Sequence, residues 1–140
     1  MILGTKARYG VMAMVDIATQ DENTPISVNE LSSRQNITAP YLEQIFRKLK
    51  SAGLVKSVRG PGGGYMLTRK PTEIYISEIV EAVDESIRMT RCDPKTKDGC
   101  IAGKARCQTH NLWYGLSEVI HDYLAKHSLS DVINKSNDFR

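Results

Sequence analysis

The sequence predicts a mainly α-helical fold with a small β wing: a winged helix-turn-helix followed by a long dimerisation helix. Two short helical segments joined by a tight turn come first, a glycine-rich hairpin follows directly, and a long periodic apolar segment comes near the end. We assign residues 1–75 to the winged helix-turn-helix. Residues 76–140 hold a cysteine-bearing loop at about 90–110 and the long helix at about 108–126.

The composition is that of a folded globular domain, with 41% hydrophobic and 25% charged residues in a chain of 140. No apolar run is long enough to span a bilayer, and Met1–Gly10 lacks the apolar stretch of a secretory signal. We therefore expect a cytoplasmic protein without a membrane partner. In that compartment thiols stay reduced, so the three cysteines are expected to be ligands rather than disulfide partners.

The net charge of +3 is concentrated at one end of the chain. Residues 1–60 carry eight Lys and Arg against five Asp and Glu, whereas the two signs balance in the remaining residues. This surplus indicates a polyanionic partner only weakly, because a solvated basic face has the same composition.

The first two helices are predicted from apolar spacing and from capping residues. Thr5 is the expected cap of the first helix, and Ser27 with Glu30 forms a capping box for the second, which ends near Gln35. Asn36-Ile37 is then a tight turn. Apolar residues recur at helical spacing in the first helix: Ala7, Val11, Met14, Val15 and Ala18.

The third helix begins after Thr38, carries Pro40 in its first turn and ends at Gly53. Its predicted buried stripe is Leu42, Ile45, Phe46 and Leu49. Its predicted outward residues include Glu43, Gln44, Arg47 and Lys48. A turn followed by a helix with such an outward face is the layout of a DNA-reading helix-turn-helix, although small helical domains of other functions share it.

A glycine-rich hairpin tip follows, between strands expected at residues 54–58 and 65–68. Its residues are Arg59, Gly60, Pro61, Gly62, Gly63 and Gly64. Glycines let a backbone approach DNA closely, and Arg59 supplies a cation that suits a narrow minor groove. A nucleotide-binding loop is excluded because no Gly-Lys-Ser/Thr follows and the segment leads into a strand. A purely structural turn remains the alternative.

The three cysteines and one histidine lie within one short segment and are candidate metal ligands. They are Cys92, Cys100, Cys107 and His110. The residues between them build no apolar core, so a bound metal centre is expected to order the segment. The cysteine gaps of seven and six residues exceed the spacing of about two to four that is usual for structural zinc. An iron-sulfur cluster is therefore favoured over zinc, and unliganded thiols are the remaining alternative.

The C-terminal half is predicted to contain two helices and a final turn. Ser77 is the expected cap of the first, whose Ile79, Val80 and Val83 can pack back on the N-terminal helices. Ser130 is the expected cap of a final turn before a loose tail from residue 134. The long helix between them carries an apolar stripe of Leu112, Leu116, Val119, Ile120, Tyr123 and Leu124. Either the same domain or a second copy must cover this stripe, and we favour a homodimer because a helix-turn-helix usually reads two half-sites.

These motifs together resemble the IscR-type regulators of iron-sulfur cluster assembly, a winged-helix family, over nearly the whole chain. The matching segments are Lys6-Ala7-Arg8-Tyr9, Tyr41-Leu42-Glu43-Gln44, Val58-Arg59-Gly60-Pro61-Gly62-Gly63-Gly64-Tyr65, Ala82-Val83-Asp84-Glu85-Ser86, and Cys107-Gln108-Thr109-His110 with Leu112-Trp113.

The resemblance implies a homodimeric transcriptional repressor of cluster-biogenesis genes that is loaded by the iron-sulfur assembly machinery. In the family pattern, a [2Fe-2S] cluster is held at the positions of Cys92, Cys100, Cys107 and His110. The positions of Tyr41, Gln44 and Arg59 contact DNA. An acid at the position of Glu43 keeps the cluster-free form from one class of DNA site.

Two positions depart from the family pattern. Both cysteine gaps are wider than in the best-known members, and Pro40 replaces a serine at the start of the third helix. An iron- or nitric-oxide-responsive relative with a different cluster, or a winged-helix regulator with a structural zinc, is the alternative. We expect no enzyme activity, because no C-x-x-C pair and no paired acid and base occur.

Overall fold

A computed structural model describes residues 4–21, 23–83 and 107–138. Over these ranges the chain forms six α-helices, a short 3-10 turn and one two-stranded antiparallel sheet, which confirms the predicted fold class. None of the helices in these ranges is both long and apolar enough to cross a bilayer. The order is α1 Thr5–Ala18, α2 Val28–Gln35, α3 Ala39–Ser51, β1 Val55–Val58, β2 Gly64–Leu67, the 3-10 turn Pro71–Glu73, α4 Ile76–Ala82, α5 His110–Ala125 and α6 Leu129–Asp138.

The capping box of α2 is present as predicted. The Glu30 amide donates to Ser27 Oγ at 3.1 Å, and the Ser27 amide donates to Glu30 Oε2 at 3.2 Å, so two amides without helical partners are satisfied. Asn36 ends the helix in the left-handed conformation, with φ 54° and ψ 45°. A short polar side chain tolerates this region, which explains the abrupt turn before α3.

Two predicted caps, at the starts of α1 and α4, are wrong. Thr5 is the first residue of α1 rather than its cap, and Gly4 precedes it without a side-chain bond. Ser77 is buried inside α4, whose start is satisfied by Glu78 Oε2 accepting from the Tyr75 amide at 2.9 Å. Long-range packing of the flanking apolar residues, which capping preferences do not include, moved these boundaries.

The last helix begins earlier and ends later than predicted. Ser128, not Ser130, precedes it: the Asp131 amide donates to Ser128 Oγ at 3.1 Å, and the Ser128 amide donates to Asp131 Oδ2 at 2.9 Å. The next residue, Leu129, is fully buried and anchors the first turn. α6 then continues to Asp138, so the predicted loose tail from residue 134 is also wrong over that length.

The hydrophobic core gathers side chains from both halves of the chain. Gly10 of α1 lies against α4, where an added Cβ would stand 3.3 Å from Cγ1 of Val83 and 3.5 Å from Ile79. α4 therefore packs back on the N-terminal helices, as predicted. Leu129 of α6 belongs to the same cluster. The largest fully buried side chains are Phe46, Met14, Leu31, Leu42, Leu49, Leu54, Ile74, Ile79 and Leu129.

The hairpin is tied to the rest of the domain through β2. Val58 pairs with Gly64 next to the tip, and Val55 pairs with Leu67 at the base, so both strands lie within one residue of their predicted ranges. Ile26 adds a bridge to Tyr65: each amide donates to the other residue's carbonyl, at 3.1 and 2.8 Å. The hairpin is thus bonded to the segment just before α2.

Candidate nucleic-acid interface and metal ligands

Helix α3 divides into a buried and an exposed face as its sequence predicts. Leu42, Ile45, Phe46 and Leu49 are buried, and they fix the rotation of the helix in the core. The opposite face carries the predicted contact residues: Glu43, Gln44 and Arg47 are exposed, and Tyr41 and Lys48 are half-buried. A row of amide, guanidinium and carboxylate groups on one helix face can hydrogen-bond to base edges in a major groove.

The first turn of α3 is supported by an aromatic contact with α1. The rings of Tyr9 and Tyr41 meet edge to face, with centroids 5.8 Å apart and planes at 88°. The Arg8 guanidinium lies 6.0 Å from the centroid of Tyr9. The spacing of either tyrosine within its own helix does not predict this contact, because it depends on how α1 crosses α3.

Helix α3 and the hairpin are joined by direct contacts. The rings of Phe46 and Tyr65 stack at 4.5 Å with planes at 15°. Lys50 Nζ donates to Ser57 Oγ at 2.9 Å, which links the end of α3 to β1. Because an apolar stack and a hydrogen bond join them, the two elements keep a fixed relative position.

The glycines at the hairpin tip differ in their surroundings. Gly60 and Gly62 have φ of 99° and 73°, and nothing lies within 4 Å of where a Cβ would stand. At Gly63 a Cβ would lie 2.2 Å from the carbonyl oxygen of Val58, so the turn itself requires glycine there. Arg59 is exposed at the base of the tip. The open space at Gly60 and Gly62 leaves this backbone accessible to a groove.

Two of the four predicted metal ligands lie close together at the start of α5. The His110 amide donates to the Cys107 carbonyl at 3.1 Å, so thiol and imidazole share one turn of backbone. Cys107 is half-buried, its Sγ lies 3.4 Å from Thr109 Oγ1, and the Nδ1 atom of His110 is buried. Cys92 and Cys100 lie outside the described residues.

The donors at this turn suit a metal centre chemically. Thiolate and imidazole are ligands for zinc and for iron-sulfur clusters, and the N-terminal end of a helix favours negative charge such as that of bound thiolates. In the described part of the chain no group of three or more Cys, His, Asp or Glu converges on one point. A complete site at this turn would therefore need donors in addition to those of the described residues.

Helix α5 is fixed to the domain at its far end. The Ile76 amide donates to the His127 carbonyl and the Leu129 amide donates to the Ile74 carbonyl, each at 2.9 Å. Along its length, His121 Nε2 lies 2.9 Å from Glu81 Oε1 of α4. The turn that holds Cys107 therefore lies at the start of α5. The residues that lead from the hairpin into α4 lie near its other end.

One face of α5 has no cover within the described chain. Leu112, Val119 and Tyr123 are 63%, 64% and 60% exposed. They recur at the helical spacing that sequence analysis identified, whereas Leu124, on the side facing the domain, packs against the core. Large apolar side chains repeated along one exposed helix face are typical of an interface.

Comparison with known proteins gives consistent matches. The model of the Rrf2 family, described as iron-dependent transcriptional regulators, matches residues 3–135. The HTH-type transcriptional regulator IscR of Xenorhabdus nematophila is 47% identical over 133 residues, which cover 95% of this chain and 79% of that protein. The IscR of Serratia proteamaculans is 44% identical, over 98% of this chain and 82% of that protein.

Solved structures of similar fold include two regulators. The T. potens IscR superposes with a TM-score of 0.79 at 31% identity, covering all of this chain and 91% of the other. CymR, the global cysteine regulator of B. subtilis, superposes with a TM-score of 0.76 at 26% identity, over 96% of this chain and 98% of that one. Transcriptional regulation is thus common to the relatives in sequence and in structure.

Proposed function

Because this chain belongs to the Rrf2 family of iron-dependent transcriptional regulators and is of the IscR type, we propose that it represses cluster-biogenesis genes according to iron-sulfur cluster status. The observation that carries the proposal is the placement of α5. Cys107 and His110 lie at the start of this helix, and just beyond its other end His127 and Leu129 are hydrogen-bonded to Ile76 and Ile74, in the segment that leads from the hairpin into α4. Since α5 packs on α4 and α4 packs on α1 and α3, a change at the ligand turn can reach the proposed DNA-binding elements through α4.

The proposed DNA surface combines the exposed side of α3 with the hairpin tip. Tyr41, Gln44, Arg47 and Lys48 contact bases and phosphates in the major groove. Arg59, with the open backbone at Gly60 and Gly62 and the adjacent Gly63, enters the adjoining minor groove as a wing. The Phe46 and Tyr65 stack supports this assignment because it holds both parts in one arrangement.

The proposed cofactor is a [2Fe-2S] cluster held by Cys92, Cys100, Cys107 and His110. When bound it supplies a centre that is sensitive to oxygen, iron supply and redox state. The protein holds three thiolates and an imidazole in place for the cluster. Fixing these ligands then orders the residues that lead into the start of α5. In the cluster-free state Glu43 sets a carboxylate against the phosphates of one class of site, and ordering of α5 relieves that repulsion.

The proposed assembly is a homodimer through the exposed stripe of α5. Leu112, Val119 and Tyr123 carry the apolar area for such a contact. Two copies related by a twofold axis present two recognition helices to two half-sites of one operator. The protein acts in the cytoplasm, where the iron-sulfur assembly machinery supplies the cluster.

The deciding experiment is metal analysis of protein purified without oxygen, followed by DNA binding. We expect near-equal iron and sulfide per chain, a red-brown absorption spectrum, and tighter binding to a biogenesis promoter with the cluster than without it. Cys107→Ser and His110→Ala should lose iron. Lys126→Ala, a surface substitution away from the candidate ligands, should not.

Stoichiometric zinc without colour would replace the cluster proposal by a structural metal site. Equal promoter affinity with and without cluster would refute the coupling through α5, while leaving the family assignment intact.

A further inference from the structure

Asp16 is a buried acid in the last turn of α1 whose side chain is only 7% exposed. Both carboxylate oxygens are used by the next helix. Oδ2 accepts from Gln35 Nε2 at 2.7 Å, and Oδ1 accepts from Arg34 Nη2 at 2.8 Å. Three side chains thus join α1 to the end of α2, and none of them belongs to the proposed DNA or metal surface.

The stability of the helices does not account for this acid. Asp16 stands near the C-terminal end of α1, whose last turn holds no basic residue, and Gln35 is the last residue of α2. Helix C-termini carry partial negative charge, so both helices disfavour a carboxylate there. Burial adds a desolvation cost, which Arg34 offsets only in part because its side chain is 43% exposed.

The contact of Asp16 with Arg34 and Gln35 fixes the position of the end of α2 relative to α1. Arg34 and Gln35 directly precede Asn36, the left-handed residue that turns the chain toward α3. That turn is itself held at both sides: Ser32 Oγ donates to the Ile37 carbonyl at 2.5 Å, and the Ile37 amide donates to the Ser32 carbonyl at 3.3 Å. Because the turn is rigid, the orientation of the end of α2 on α1 is passed on to α3.

We propose that Asp16 is a positioning residue for operator recognition, which sets the angle of α3 by fixing Arg34 and Gln35 on α1. This inference rests on the proposed DNA-binding function. Reading a base sequence needs α3 aligned closely with base edges, whereas attraction to phosphates needs only positive charge nearby. Loss of the Asp16 contact should therefore lower specific binding and spare non-specific binding.

The test compares operator and mixed-sequence duplex binding by full-length protein purified without oxygen, with equal metal content in every sample. The operator is the duplex that the wild-type protein selects from a random library. Asp16→Asn keeps the shape but removes the charge. Asp131→Asn is the matched control, since Asp131 also accepts hydrogen bonds at a helix end but lies on α6.

A second variant distinguishes the loss of positioning from a loss of stability. Asp16→Leu with Gln35→Leu replaces the buried polar contact by two apolar side chains and leaves Arg34 to water. Such replacements often preserve or raise stability. We expect both variants to stay folded and to lose roughly ten-fold in the ratio of operator to mixed-sequence affinity, with the non-specific affinity and its salt dependence unchanged.

An unchanged ratio in both variants would show that Asp16 only holds the fold, and would overturn the inference. A parallel loss of non-specific affinity with a shallower salt slope would mean that this corner contacts phosphates directly, which also overturns positioning. If the wild-type protein selects no duplex at all, the proposed function fails and the inference fails with it.

Discussion

The hairpin residues fall into two groups: some are required by the packing of the fold, and others are available for the proposed contact with DNA. Gly63 and Gly64 are closed in by backbone atoms, whereas Gly60 and Gly62 face open space. Arg59 stands beside the open pair and is exposed. The sequence does not distinguish these glycines, because only the packed structure shows which of them have a neighbour.

Replacing Gly64 by alanine tests the structural demand. A Cβ there would lie 2.1 Å from the Ile26 carbonyl oxygen, and such overpacking costs about 2–3 kcal/mol of unfolding free energy. Gly62→Ala is the control: it meets no atom and should cost only the strain of positive φ, about 1 kcal/mol. Urea unfolding measures both, and equal losses would contradict the bridge between Ile26 and β2.

Replacing Arg59 by alanine tests the contact with DNA. We expect operator affinity to fall roughly ten-fold, and the slope of log affinity against log salt to become shallower by about one, because a cation in the groove near the phosphates releases about one counterion. Lys126→Ala removes an exposed cation at the end of α5 and should leave both quantities unchanged. A full salt slope in Arg59→Ala would exclude the proposed wing contact.

Replacing Glu43 by alanine tests site selection by the cluster-free protein. Removal of a carboxylate from the DNA-facing side of α3 should raise the affinity of cluster-free protein for the biogenesis promoter to near that of the cluster-bound form. Glu118→Ala, an exposed acid on α5, should not. Fluorescence anisotropy with labelled promoter measures both, and weak binding by cluster-free Glu43→Ala would remove this residue from the switch.

At the scale of elements, the helices and strands are connected by a few polar links at their ends. Arg69, just after β2, donates to the Glu73 carbonyl at 3.1 Å and to Glu78 Oε1 at 2.9 Å. Glu78 in turn accepts from the Tyr75 amide at the start of α4. This link is not predictable from the sequence, because no local pattern brings Arg69 and Glu78 together.

This link predicts a pH-dependent contribution to stability. Burial opposes ionisation of Glu78, but the bonds from the Tyr75 amide and Arg69 together outweigh it and lower its pKa below the ordinary 4.5. Since the native pKa is the lower one, the stabilisation is full above pH 4.5 and is lost as the pH falls through the native pKa.

The corresponding variant is Glu78→Gln. At pH 7 it should lower the free energy of unfolding by about 0.5–1 kcal/mol, a modest value because the ion pair is partly exposed to water. The difference from wild type should shrink steadily as the pH falls below 4.5. Glu73→Gln, an exposed neighbour, is the control, and a Glu78→Gln difference that persists undiminished at pH 3 would contradict this account.

For the molecule as a whole, the exposed apolar stripe of α5 bears on whether the protein functions as a monomer or as a homodimer. A helix face with three apolar side chains more than half exposed is unfavourable in water, and the proposed homodimer would cover it. The same helix begins at the turn with the candidate ligands Cys107 and His110, so the proposed assembly and the proposed sensing would share one element.

Replacing Val119 by lysine tests the assembly. A charge in the middle of the stripe should weaken the dimer at least ten-fold, because a desolvated cation would face apolar side chains. Sedimentation velocity over a range of concentrations measures the association. Glu118→Lys, about 100° away around the helix, should associate like wild type, and an unweakened Val119→Lys dimer would place the interface elsewhere.

The sequence alone was enough for the elements whose causes are local. The capping box of Ser27 and Glu30, the buried stripe of α3 and the turn at Asn36 depend on residues a few positions apart, so periodicity and side-chain chemistry predicted them. The candidate ligands Cys92, Cys100, Cys107 and His110 were recognised by residue type and spacing in the same way, and their joint role stays a prediction.

Only the tertiary structure decided features that join distant parts of the chain. Asp16 meets Gln35, Tyr9 meets Tyr41, and Ile26 pairs with Tyr65 because helices and strands pack in one particular arrangement. Packing likewise selected Ser128 over Ser130 as the capping residue of α6, since Leu129 is buried in the core. Such contacts arise when separate apolar faces share one core, and no local pattern contains that information.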